Sequence, residues 1–200
     1  MISYLSRKIS SFFISLEIIS YEDFEVYIYS LEILIATLLN FFALCLIAVA
    51  TRTVVKTAFY LLAFLPLRQL AGGYHAENHL RCFLILMAVY GTFLLLIEYL
   101  PISYFVYFIV ASLLVSVFLI FRFAPVEDKN KPLSSQEVVE FKKKSRTAII
   151  IYVIATGLAC LANTEWALSM ALGILSVALS LAASVIKRNI TGRYLPDSKK

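Results

Sequence analysis

Six charge-free or nearly charge-free apolar runs limit this chain more than any other feature. They are Ile33–Thr51, Thr57–Leu67, Phe83–Ile97, Ile102–Phe121, Thr147–Thr164 and Trp166–Ile186. A hydrocarbon core takes about 20 apolar residues as a helix, and four of the six reach that length clearly. The second is short. It spans only if Lys56 snorkels and Arg68 marks its end, with a re-entrant loop as the alternative. The chain is 61% hydrophobic with a mean hydropathy of +0.86, where soluble domains sit near half apolar. A core of 200 residues cannot bury that excess, so lipid is the solvent. The expected fold class is an all-α integral membrane protein, with about six transmembrane helices behind an N-terminal interfacial helix.

Ile2, Leu5, Ile9, Phe12, Phe13, Leu16 and Ile19 recur at three- and four-residue spacing. This sets an apolar helical face against Ser3, Arg7, Lys8, Ser10 and Glu17. With little soluble core to pack on, such a helix is expected to lie in the membrane interface. Residues 1–28 thus read as interfacial helix and acidic linker, 29–190 as the multi-pass unit and 191–200 as a tail. No h-region with a small-residue cleavage site marks a signal peptide. The only long polar loop, residues 122–146, holds seven positive charges, and within it Ser134–Lys144 reads as a short helix capped by serine. Lys and Arg in that loop and in the tail, and none in "EYLPISY" or "NTE", place both termini, the 68–82 stretch and the basic loop in the cytoplasm. Arg52 and Lys56 are misfits to that assignment. There is no Lys/Arg stripe interleaved with exposed aromatics, so no nucleic-acid partner is expected.

Polar chemistry collects in fifteen residues, "RQLAGGYHAENHLRC", Arg68–Cys82. Cys45 and Cys160 sit inside apolar runs and read as small packing residues. Cys82 stands where a membrane helix begins, with Asn78 as candidate N-cap. Orphan N–H groups and the helix dipole there favour a thiolate, as do the nearby arginines. A nucleophilic Cys needs a base. His79, three residues earlier, shares a helical face with it. His75, seven residues earlier, would lie about 10 Å away along a straight helix, so it can serve only if the chain bends, as Gly72 and Gly73 permit. Spacing slightly favours His79 and leaves the choice open. His75, His79 and Cys82 also fit three ligands of a catalytic zinc with Glu77 as base, although the H-E-x-x-H pattern is absent. The plainest alternative is an interfacial loop meeting lipid headgroups. A small transporter gated by this loop is a further one.

The stretch resembles the signature of the accessory gene regulator B (AgrB) proteins, bacterial membrane cysteine endopeptidases that process quorum-sensing propeptides. Arg68, Gly72, Gly73, His75 and Cys82 match in order and spacing, and "APVEDKNKP", Ala124–Pro132, resembles the family's basic loop. The resemblance implies that Cys82 is the nucleophile and His75 its base, that Arg68 and the glycine pair shape the site, and that Lys129 and Lys131 help hold the substrate. It leaves Gln69, Glu77 and Asn78 as candidates for a third member. It implies a short amphipathic AgrD-like propeptide as substrate, no cofactor, and a bacterial plasma-membrane location. Lipid is the other expected partner, and a homodimer is compatible with so small a chain.

Overall fold

The computed structural model describes residues 2–73, 79–126 and 134–190. Seven α-helices account for nearly all of them: α1 (Ile2–Ser15), α2 (Phe24–Ala50), α3 (Val54–Ala71), α4 (His79–Tyr99), α5 (Phe105–Phe123), α6 (Ser135–Ala162) and α7 (Thr164–Ile190), with a 3-10 turn at Ile102–Tyr104. From α2 onward, each helix is long and apolar enough to cross a membrane, α5 together with the preceding turn.

The doubtful second run is a full helix. α3 has 18 residues, about 27 Å at 1.5 Å per residue, so no re-entrant loop is needed. It reaches this length because both flanking cations lie inside it with partners. Lys56 pairs with Glu165 at 3.0 Å, and Arg68 is bonded at the other end. Pro66 also lies inside α3. A proline removes the bond to the carbonyl four residues back; here that carbonyl, Leu62, accepts the Tyr152 hydroxyl of α6 at 3.0 Å. At membrane depth such replacement is what makes a helical proline tolerable.

The reading of 134–144 as a separate short helix is corrected. No Gly or Pro separates it from the fifth run, so the two are one helix, α6. Its start is a full capping box, the Glu137 N–H donating to Ser134 Oγ and the Ser134 N–H to the Glu137 carboxylate.

α1 is shorter than its apolar pattern. It ends before Glu17, whose φ is 55°, with the Ile18 N–H donating to the Phe13 carbonyl at 3.0 Å. Ser6 and Ser10, rather than the large apolar residues, are its buried positions. Small side chains let its backbone approach α2. Leu5, Phe12 and Leu16 stay exposed.

α7 is the hub. α3 and α5 pack along it and run parallel to it, and α6 returns against it. Lys56 with Glu165 at one end and Arg68 with Ser180 toward the other fix that parallel alignment. Gly173 makes it close, because a methyl group there would overlap the Tyr60 carbonyl of α3. Small residues at such crossings are how membrane helices gain van der Waals contact. Two buried clusters fill the bundle, one around Tyr60, Tyr90 and Phe93, the other around Leu67, Ile120, Ile149 and Ile174. Trp166 stacks on Phe59 at 5.0 Å near the Lys56 end.

Candidate active site

α3 ends because Gly72 takes φ 75° and Gly73 φ 145°, conformations that L side chains resist. The space is as restrictive as the backbone. A methyl group at Gly72 would overlap the Val126 carbonyl, and one at Gly73 the Arg68 guanidinium. The glycine pair thus admits two neighbours at once.

The first neighbour is Arg68. It stands in the last turn of α3 and donates from one guanidinium nitrogen to the Gly72 carbonyl at 3.0 Å and to Ser180 Oγ of α7 at 2.8 Å. It therefore ties the helix end to the hub. The second neighbour is the chain leaving α5, Ala124–Pro125–Val126. The Val126 N–H donates to the Ala71 carbonyl at 3.1 Å, and Gly72 and Val126 form an isolated parallel bridge. The two sequence motifs that lie some fifty residues apart, "RQLAGG" and "APV", are thereby held together.

Cys82 lies in the opening turns of α4, half-buried and with a free thiol. It lines a cavity of about 600 Å³ between α2, α3, α4 and α7. Arg68, Gln69 and Gly72 line the same cavity, as do Pro125 and Val126. One wall is α2, which presents Ile33, Thr37, Asn40, Phe41 and Leu44. The site thus joins a thiol at a helix start, a bonded guanidinium and a mostly apolar recess.

His75, Glu77, Asn78, Lys129 and Lys131 lie outside the described residues, and so does the N-cap expected at Asn78. His79 opens α4. Gln69 is exposed at the cavity's edge. The expected zinc ligands include His75, so that alternative also falls outside the described region.

The sequence profile described as Accessory gene regulator B matches residues 1–181. The chain belongs to the accessory gene regulator B family. It is a membrane protein of the quorum-sensing accessory gene regulator type. It is 28% identical, over 98% of its own length and 92% of the relative's, to a protein named AgrB-like of Clostridium perfringens strain SM101 (type A). It is 25% identical to a protein named AgrB-like protein 2 of Clostridium perfringens strain 13 (type A), over 86% of this chain and 83% of that one. No solved structure matches it.

In this AgrB chain the sequence reading missed Ser180, the Val126 backbone and the α2 wall. Ser180 carries no signal of its own, being one small polar residue in an apolar helix. Thr37 and Asn40 did carry one: they are the only polar side chains between Ile33 and Ala50.

Proposed function

We propose that this protein is a membrane cysteine endopeptidase that removes the acidic C-terminal tail of a short amphipathic quorum-sensing propeptide and passes the remainder on as a cyclic peptide. The observation that carries this is the placement of Cys82: a thiol at the start of a membrane helix, opening into an apolar cavity beside Arg68 and the glycine pair.

The Cys82 thiolate attacks the carbonyl at the tail junction. The C–N bond breaks, and His75 gives its proton to the departing amine. An acyl-thioester on Cys82 remains. A thiol or hydroxyl within the propeptide then attacks that carbonyl, giving its proton to the now-neutral His75; the Cys82 thiolate leaves, and a thiolactone or lactone ring closes. Thioester exchange is nearly balanced in energy whereas hydrolysis runs downhill, so a recess poor in water protects the intermediate. A leader lying in the interface keeps the internal nucleophile at high effective concentration. Lys129 and Lys131 attract the acidic tail, and the site opens to the cytoplasm. The docking of Val126 on Ala71 and Gly72 supports a basic loop that begins at the site.

The test is to incubate the protein in liposomes with its cognate propeptide and follow both by mass spectrometry. A Cys82 acyl adduct and a freed tail are expected. Cleavage that persists in Cys82→Ala would sink the reading and favour a transporter, whereas activity lost to chelators would point to the zinc alternative.

A further inference from the structure

One wall of the cavity that Cys82 lines belongs to α2, and the cysteine chemistry leaves that wall unused. Ile33, Thr37, Asn40, Phe41 and Leu44 all line the cavity, spaced as one helical face. Within the apolar run from Ile33 to Ala50 only Thr37 and Asn40 are polar, and both stand on this face.

Polar side chains at membrane depth normally find partners, either across helices or in their own backbone. Several elsewhere in this bundle do. Thr57 bonds Tyr90 at 2.7 Å, and Thr92 and Thr156 donate to carbonyls four residues back at 2.9 and 2.7 Å. Among the described residues no hydrogen bond of the Thr37 hydroxyl or the Asn40 amide is found. Thr37 is exposed and Asn40 half-buried, so both are open to whatever occupies the cavity, and an amide facing an apolar membrane setting without a partner is costly. A bulky hydrophobe would serve a purely structural wall better.

Depth also matches. Leu44 and Tyr90 share one buried cluster. About two helical turns from them toward the site, α2 carries Thr37 and α4 carries Cys82. Asn40 lies one turn deeper. A peptide acylated on Cys82 would therefore run its residues preceding the new thioester along this wall. An extended peptide in an apolar recess brings backbone N–H and C=O groups that need partners. An amide, which both donates and accepts, suits them.

We propose that α2 is the substrate-binding wall and that Asn40, assisted by Thr37, hydrogen-bonds the backbone of the apolar peptide segment on the acyl side of the scissile bond. The inference rests on the peptidase reading and assigns the half of the substrate that stays on the enzyme.

The probe is N-acetyl-Leu-Phe-Leu benzyl thioester, offered to the full chain in nanodiscs. Cys82 attacks its carbonyl, the benzyl thiol leaves, and the acyl group appears as a mass increase on the protein. N-acetyl-Leu benzyl thioester is the short control and iodoacetamide reports bare thiol reactivity. In Asn40→Leu the tripeptide concentration for half-maximal acylation should rise about tenfold, the loss of one to two hydrogen bonds. The single-residue thioester and iodoacetamide should react as in the wild type. Asn40→Gln should recover most of the loss. If Asn40→Leu fails to insert, Thr37→Val carries the same test, with a smaller shift in the same direction. An unchanged tripeptide curve overturns the assignment of α2 and leaves the peptidase reading intact. A wild-type protein that alkylates but never acylates overturns both.

Discussion

In the most apolar stretch of α7, 50% of the residues are buried; in that of α2, 11% are. The first figure belongs to a bundle in which α3, α5 and α6 close on a hub with small residues at the crossings. The second belongs to α2 and α4, which lean on that bundle and leave a cavity between them. Both halves are greasy, so composition does not separate them. What separates them is where small and polar residues fall. Gly173 and Ala171 sit at tight crossings and draw helices together. Thr37 and Asn40 sit where helices stay apart. A packed half supplies stability, and a loose half leaves a cavity open.

The sharpest way to break that comparison is Cys82→Ala. We expect cleavage and the acyl adduct to vanish while insertion and the thermal midpoint in detergent stay at wild-type values. A large loss of stability instead would move Cys82 into the packed half. Gly72→Ala should come next, because it meets both a φ of 75° and the Val126 carbonyl. A strained residue costs about 1–3 kcal/mol, and activity should fall further than the midpoint does, since the shift lies at the cavity's edge. Gly173→Val tests the hub. Overpacking of this kind costs about 1–3 kcal/mol, and a lowered midpoint with cleavage retained at low temperature is expected. Tyr152→Phe removes the hydroxyl that serves the Leu62 carbonyl beside Pro66. Its loss should be about 1 kcal/mol, read as a small fall in the midpoint. Smallest of all, Glu165→Gln unpairs Lys56 at a partly exposed ion pair, for which we expect under about 1 kcal/mol and a weaker effect in high salt.

How much of this was legible beforehand differs from region to region. Four of the six spans follow clearly from runs of apolar residues, because lipid demands a continuous apolar surface and internal backbone bonding; the run of α4 is shorter and points to its span less clearly. The sixth, α3, is blurred in sequence by Lys56, Pro66 and Arg68. Each is tolerated only through a residue far away in the chain: Glu165, Tyr152 and Ser180. The start of the long helix α6 was visible through its serine cap, but its continuity was hidden by the change from polar to apolar residues partway along. Within the site, Cys82 at a helix start and the bend at Gly72–Gly73 were legible from residue types. The reason for two glycines was not, since one makes room for the arginine and the other for a carbonyl arriving from the α5–α6 connection.

By itself, then, the sequence determined the solvent, the helical class, most of the spans and the polar stretch that ends at Cys82. All of these depend on short-range pattern: hydrophobic run length, helix caps and the conformational freedom of glycine. Only the tertiary structure decided which helices close on one another and which stand open. That outcome turns on pairs distant in sequence, Tyr60 with Gly173, Arg68 with Ser180, Ala71 with Val126, and their meeting depends on packing that no local pattern encodes.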